Sequence, residues 1–579
     1  MATRLPPRVF LDPQGRRQSP DEQELLKSLD QLYDEGKEER DRWAAKADLE
    51  RDLKLYRGQV GPKNRDPYFA GNFIEAFVNR MVDSLTDTRP VLRVEPRKAG
   101  LRNVARVSGQ VVQATWEDAD MQRQAYKMCH KSAIGRSAGL YTGYDPETDE
   151  IVLEVLGLNQ VVMDPMVAEA ARLKKAEYLF IDRVKALDEL KYKFVGRGAE
   201  VKADANIGGS DEEQRKRTVS GPLDQILKGD YARDALGRAK VKECFILDRQ
   251  RDPKTGTLMF PGGRRIIRTR DLLLWDGPNI FWDGVWPVDW FDWIVDPEHP
   301  FGRSEPARLM YLQLAFNQVM DGLVENQLLT NFITFVADFD AVDDNAWKKL
   351  QNITSSLILR KRNRNATVTG PTPPPPFGAD KIQLARFIFT VAQLITGVTD
   401  VTMGETPGSL QSGAAIEGLQ EGAHLGTRSR ASRLEDFYCR VGTKLLARIF
   451  QFRTSDQVIH LAGPTLEAVE YAIARQDFFM GDNQESLIDA VSVEGQFVKR
   501  REVFRSLAFR VAPGSSSASS RVRRAQLMLD LVKIGAASRK HLLQAADIPN
   551  PEEMLKEAKA EFAEMGPVAQ APRSAPVGP

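Results

Sequence analysis

Cysteine is nearly absent from this chain: Cys129, Cys244 and Cys439 are the only three in 579 residues. They lie too far apart for a disulfide framework or a paired-cysteine metal site, and they fit a reducing compartment. Histidine is also scarce, and His130, His299, His424, His460 and His541 show no ligand or catalytic spacing. There is no Gly-x-x-x-x-Gly-Lys-Ser/Thr phosphate loop, no Gly-x-Gly-x-x-Gly turn and no His-Glu-x-x-His helix. No apolar run is long enough to span a bilayer, and the N-terminus lacks a signal-peptide core. An excess of either charge is missing too, with 81 Lys and Arg against 80 Asp and Glu. A simple DNA-binding protein carries a clear basic excess, so any contact with DNA is expected to be local or transient. Acidic pairs such as Asp343–Asp344 and Glu552–Glu553 stand in no context that would shift their pKa. A metal-dependent DNA-processing enzyme would need acids that converge in space to hold magnesium, and it remains the alternative reading.

What the chain does have is a long ordered succession of elements. Residues 1–20 are rich in Pro and Arg and read as disordered. A charged helix is expected over 21–55, a helix capped by Asn72 follows, and a strand comes at 91–94 after Arg89–Pro90. One further helix is expected over 104–136. Strand patterns then take over: a hairpin of 140–144 with 151–155, then 160–163 and 178–182, a short helix at 186–194, and a meander of 241–249, 257–260 and 265–274. Residues 206–221 read as a mobile polar loop. The aromatic-rich segment 275–293 reads as a packing wedge or a subunit contact rather than a ligand cage.

The most informative stretch is 304–450. Ser304 caps a helix, Pro306 suits its first turn, and Leu309, Leu312, Phe316, Val319 and Leu323 recur at gaps of three and four. A second helix opens at Asp380 and repeats the spacing with Ile382, Ala385, Phe389, Ala392 and Thr396. Such stripes are most often ordinary core. The insert between them has strand-like segments at 332–335 and 356–359. A basic run follows (Arg360, Lys361, Arg362, Arg364), and then a stiff Pro-rich segment at 371–376. After the second helix comes a Gly/Ser/Thr loop at 399–412, and then a long helix from near Ser412 to near Phe450. Further helices are expected over 521–562, broken at Gly535 and at Pro549–Asn550–Pro551, with a disordered tail from 566.

This order of parts resembles the portal proteins of tailed double-stranded DNA bacteriophages. The residues that carry the resemblance are Thr-Arg-Pro-Val-Leu-Arg-Val at 88–94, Val-Val-Met-Asp-Pro at 161–165 and Phe-Ile-Asp-Arg-Val-Lys-Ala-Leu-Asp-Glu-Leu at 180–190. Gly277–Pro278–Asn279, Trp286–Pro287, Pro-Phe-Gly-Arg-Ser at 300–304, Ser-Gly-Ala-Ala at 412–415 and Leu419–Gln420 complete it.

The resemblance implies an α+β portal fold. Its parts would be a wing at 21–303, stem helices at 304–329 and 380–398, a small α/β clip at 330–379, a tunnel loop at 399–412, a long helix and wing return at 413–520, and crown helices at 521–565. It implies a homo-oligomeric ring, usually a dodecamer, at one capsid vertex in the virion, assembled in the host cytoplasm. That ring would pass double-stranded DNA transiently during packaging and ejection. Its partners would be the large subunit of the terminase, a neck or tail adaptor, and the major capsid and scaffolding proteins. No catalysis, cofactor, metal or membrane is implied. On this resemblance Thr399, Thr402, Thr406, Ser409 and Gln411 would face DNA in the channel. Lys348, Lys349, Arg360, Lys361, Arg362 and Arg364 would serve clip docking or guide DNA at the mouth. A bore rich in cations would hold the duplex through counterion release, and the near-neutral composition is compatible with avoiding that.

Overall fold

Two extended faces of the polypeptide, not one, are buried by its largest sheet, and strand periodicity explains how. In β5 (Tyr178–Ala186), Tyr178 and Phe180 point one way while Leu179 and Ile181 point the other, and all four are buried. The first pair packs with Leu25, Leu29 and Tyr33 of α1 (Pro20–Trp43). The second packs with Phe245, Trp286 and Trp290. The sheet order is β4 (Val161–Met163), β5, β6 (Arg238–Ile246), β7 (Arg264–Arg268) and β8 (Leu273–Pro278), antiparallel throughout.

The computed structural model describes residues 20–59, 71–87, 89–98, 100–167, 176–204, 237–252, 254–283, 286–297, 301–331, 336–337, 368–369, 379–398, 413–452, 457–462, 468–473, 501–511, 528–529 and 531–534. The architecture mixes helix and sheet, compatible with an α+β class. A second sheet runs in the order β3 (Leu153–Gly157), β2 (Ser137–Thr142), β9 (Val288–Asp292). The β2–β3 pair is the expected hairpin, closed further out by a bridge between Asp145 and Glu150. Strand β1 (Leu92–Pro96) pairs with the distant β14 (Leu507–Val511), so the chain returns to its start.

Several sequence expectations change. Residues 21–55 form two helices, α1 and α2 (Lys46–Tyr56), separated at Ala44 and the extended Ala45. Alanine carries no break signal. The break is tertiary: Ala44 is buried in the core and Arg136 donates to the Trp43 carbonyl that ends α1. The helix expected at 104–136 is likewise two, α4 (Arg102–Asp118) and α5 (Met121–Gly135), because Asp120 takes the left-handed conformation with φ of 48°. Residues 257–260 form no strand, only a bridge between Arg251 and Leu258, and 265–274 divides into β7 and β8 around a turn closed by Thr269 and Leu272. The aromatic segment is a packing wedge: Trp286, Trp290 and Trp293 are buried, although Trp275 is exposed.

Buried charges in the sheet are paired. Arg264 is fully enclosed between Asp248 at 3.1 Å and Asp276 at 2.7 Å. Glu243 sits between Arg265, at 2.6 Å, and Arg183. Burial would raise its pKa, but the two guanidiniums outweigh it and hold the carboxyl below the usual value.

The largest core gathers α3 (Phe73–Thr86), α4, α5 and three further helices: α7 (Glu305–Asn331), α8 (Ala379–Thr396) and α9 (Gly413–Phe452). A short helix α6 (Leu187–Lys193) lies near the end of β5, and small ladders pair β10 (Val336–Ala337) with β11 (Val368–Thr369) and β12 (Gln457–Ala462) with β13 (Ala468–Ile473).

Candidate functional site

The candidate site is the pair α7 and α8, with α9 beside it. Ser304 caps α7 as the sequence suggests, its Oγ accepting from the Ala307 amide at 3.2 Å and donating to buried Asp52 at 2.6 Å. Helix α8 begins at Ala379, so Asp380 falls in its first turn. The two helices are antiparallel. Arg308 near the start of α7 donates to the Ile395 carbonyl near the end of α8, and Phe316 and Phe389 both meet Phe73, at 5.5 Å and 6.1 Å between ring centres. The spaced residues face inward: Leu309, Leu323, Ala385, Ala392 and Thr396 are buried, and Leu312, Phe316, Val319, Ile382 and Phe389 half-buried.

The foot of α7 is fixed by polar contacts that the hydrophobic pattern does not reveal. Gln313 Oε1 accepts from the amides of Phe73 at 3.0 Å and Ile74 at 3.4 Å, so a side chain of one helix caps the start of another. Buried Glu305 accepts from Trp293 Nε1 at 2.9 Å and pairs with Arg430 of α9 at 3.3 Å and Arg308 at 3.2 Å. The same Arg308 holds the end of α8, so one carboxylate ties together α7, α8, α9 and the strand-end Trp293.

Helix α9 is laid along the open edge of β9. Outward-facing carbonyls of that edge strand accept from one basic face of the helix: Val288 from Lys444 at 2.8 Å, Trp290 from Arg440 at 3.0 Å, and Asp292 from Arg433 at 3.1 Å. Alternate residues of a strand face the same way, and positions 433, 440 and 444 fall on one side of a helix, which makes the match possible. Burial pushes the partly buried Asp292 carboxyl up to about 6, against the Ser137 hydroxyl that donates to it at 2.6 Å and the nearby Arg433 and Arg440.

The outer faces of the pair carry large exposed apolar side chains among polar ones. Leu384, Phe387 and Leu394 of α8 are 47%, 65% and 82% exposed, and Tyr311 of α7 is 77% exposed. Gly397 ends α8 with φ of 75°, and Val398 is buried just before the loop. The named loop residues Thr399, Thr402, Thr406, Ser409 and Gln411 lie outside the described residues, as do Lys348, Lys349, Arg360, Lys361, Arg362 and Arg364. So do the expected strands at 332–335 and 356–359, the polar loop 206–221, the termini at 1–19 and 566–579, and most of the helices expected over 521–562. Within the insert the β10–β11 ladder is described. Among the described residues no cluster of His, Cys, Asp or Glu is placed to hold a metal, and no helix is long and apolar enough to cross a membrane.

Residues 315–576 match the family model described as Phage P22-like portal protein. No curated protein matches the chain.

Proposed function

We propose, for a chain whose match over residues 315–576 supports a phage portal protein, that copies close into a ring at a unique capsid vertex. In this reading α7 and α8 border a channel for double-stranded DNA during packaging and ejection. The observation that carries the reading is the outer face of α8, where Leu384, Phe387 and Leu394 stand exposed opposite the face that packs inward. Large apolar side chains clustered on the outer side of a helix pair favour burial against another surface.

The remaining assignments follow the same reading. The insert at 330–379 is the clip, presenting Lys348, Lys349, Arg360, Lys361, Arg362 and Arg364 to the terminase motor and to neck or tail proteins. The loop at 399–412 lines the narrow part of the channel and meets DNA through Thr399, Thr402, Thr406, Ser409 and Gln411. Hydroxyls and amides touch phosphate without the counterion release that would hold a moving duplex. The ring is a dodecamer, without catalysis of its own, and the capsid and scaffolding proteins surround it. Negative-stain imaging and mass photometry of purified protein and of assembled particles should show closed rings with a central hole. A stable monomer that cleaves DNA with magnesium would overturn the reading.

A further inference from the structure

A groove of about 450 Å³ opens between α2 and the foot of α7, with Ala47, Leu55, Met310 and Leu314 as its apolar walls and Glu50, Arg51, Lys54 and Gln59 at its polar rim. We propose that it is the socket for a second copy of this chain, and that the neighbour's Leu394, with Val391 and Phe387 above it, is the plug. The proposal rests on the ring reading and names the surfaces that make the ring.

Direction supports it. Rotational rings use head-to-tail contacts, in which two different patches on roughly opposite sides of the protomer meet. Arg308 marks the side of α7 on which α8 lies, because it reaches the Ile395 carbonyl. Met310 and Leu314 lie two and six residues further along α7, about 200° and 240° around a helix that turns about 100° per residue. The groove therefore opens away from α8, while Leu394 and Phe387 project from the far side of α8.

Level supports it as well. Copies related by rotation touch at equal heights along the axis, and the stem helices run along that axis in this reading. The contacts of Arg308 with Ile395, and of Phe316 and Phe389 with Phe73, set the alignment of the pair. On that alignment Leu394 is level with Met310, Val391 with Leu314, and Phe387 stands about one turn above. The plug and the socket occupy the same band.

Charge neither drives nor opposes the contact, since Lys54, Arg51 and Glu50 at the rim leave little net charge. The outer face of α8 carries Lys381 and Arg386 and has no acid beyond Asp380 at its start. At the rim Arg51 is already paired with Asp48 at 2.9 Å and Asp52 at 3.1 Å, and Glu50 has Lys46 at 3.9 Å.

The test is a disulfide ladder. In Met310→Cys/Leu394→Cys protein the two thiols point away from each other on opposite faces of the α7–α8 pair, so a disulfide joins neighbouring copies. Oxidised rings should give covalent multimers up to the full ring. Each single-cysteine variant, and the parent with Cys129, Cys244 and Cys439, should give none. A second variant, Leu394→Asp, alters a side chain exposed in the protomer. It should leave the circular dichroism spectrum unchanged and lower the ring fraction by about tenfold or more, since a buried leucine contributes roughly 1.5–3 kcal/mol. Rings that form without a ladder and tolerate Leu394→Asp overturn the socket and leave the ring reading standing. Parent protein that never forms rings overturns both.

Discussion

Lys444 Nζ donates to the Val288 carbonyl at 2.8 Å while pairing with the Asp289 carboxylate at 3.0 Å, so one ammonium satisfies both the backbone and the side chain of an edge strand. Burial lowers its pKa and Asp289 opposes that shift. Replacing Lys444 by Met should cost about 3 kcal/mol, because it leaves the buried Asp289 carboxylate with only Arg440 at 3.8 Å and removes a donor to the strand. A urea titration followed by tryptophan fluorescence should show the midpoint falling, and Lys444→Arg should recover part of it.

Glu305 gathers Trp293, Arg308 and Arg430 at the base of the paired helices. Glu305→Ala should destabilise by about 3–5 kcal/mol, since it leaves two guanidiniums without their shared partner. Glu305→Gln keeps an acceptor for the indole and should lose less. Thermal unfolding of the two variants side by side gives the order, and equal losses would contradict the pairing.

Gly397 ends α8 at a φ of 75°, where a β-carbon is strained. Gly397→Ala should cost about 1 kcal/mol, measured by chemical denaturation.

Asp292 makes the stability of the fold depend on pH. Unfolded, the group loses its proton near the ordinary value of about 3.9, and in the folded protein only near about 6. Between those values the unfolded chain is the more readily charged form. The contribution of this residue to stability therefore falls as pH rises from about 4 to about 6 and is flat above. Asp292→Asn cannot titrate, so melting temperatures recorded across that window should show a shallower decline than the parent.

Deleting residues 404–408 should leave rings intact and reduce DNA packaging or retention. Particle imaging together with a count of packaged genomes checks this. Loss of the ring itself would mean that the loop is structural.

Local signals made much of the fold legible. Asn72 and Ser304 cap the helices expected of them, and the stripes on α7 and α8 turn inward as their spacing implies. The short apolar runs at 178–182 and 151–155 pointed to strands that do pair. The failures came where distant groups decide. Nothing near Ala44 announces a break, because the agent is Arg136. Asp120 turned one helix into two by adopting a conformation that aspartate tolerates but does not demand. At the candidate site the apolar faces were readable, but the donors along β9 were not. Nothing local singles out Arg433, Arg440 and Lys444, because their acceptors lie 140 to 156 residues away. Gln313 escaped notice for the same reason, its acceptor serving amides some 240 residues earlier.

The occupied carbonyls of β9 bear on how many copies can gather without clumping. A bare edge strand is a template on which a second chain can add its own strand. With Val288, Trp290 and Asp292 already committed to α9, that template is closed on this side. In the proposed ring, copies would then have to recognise one another through side chains rather than by adding a strand at this edge.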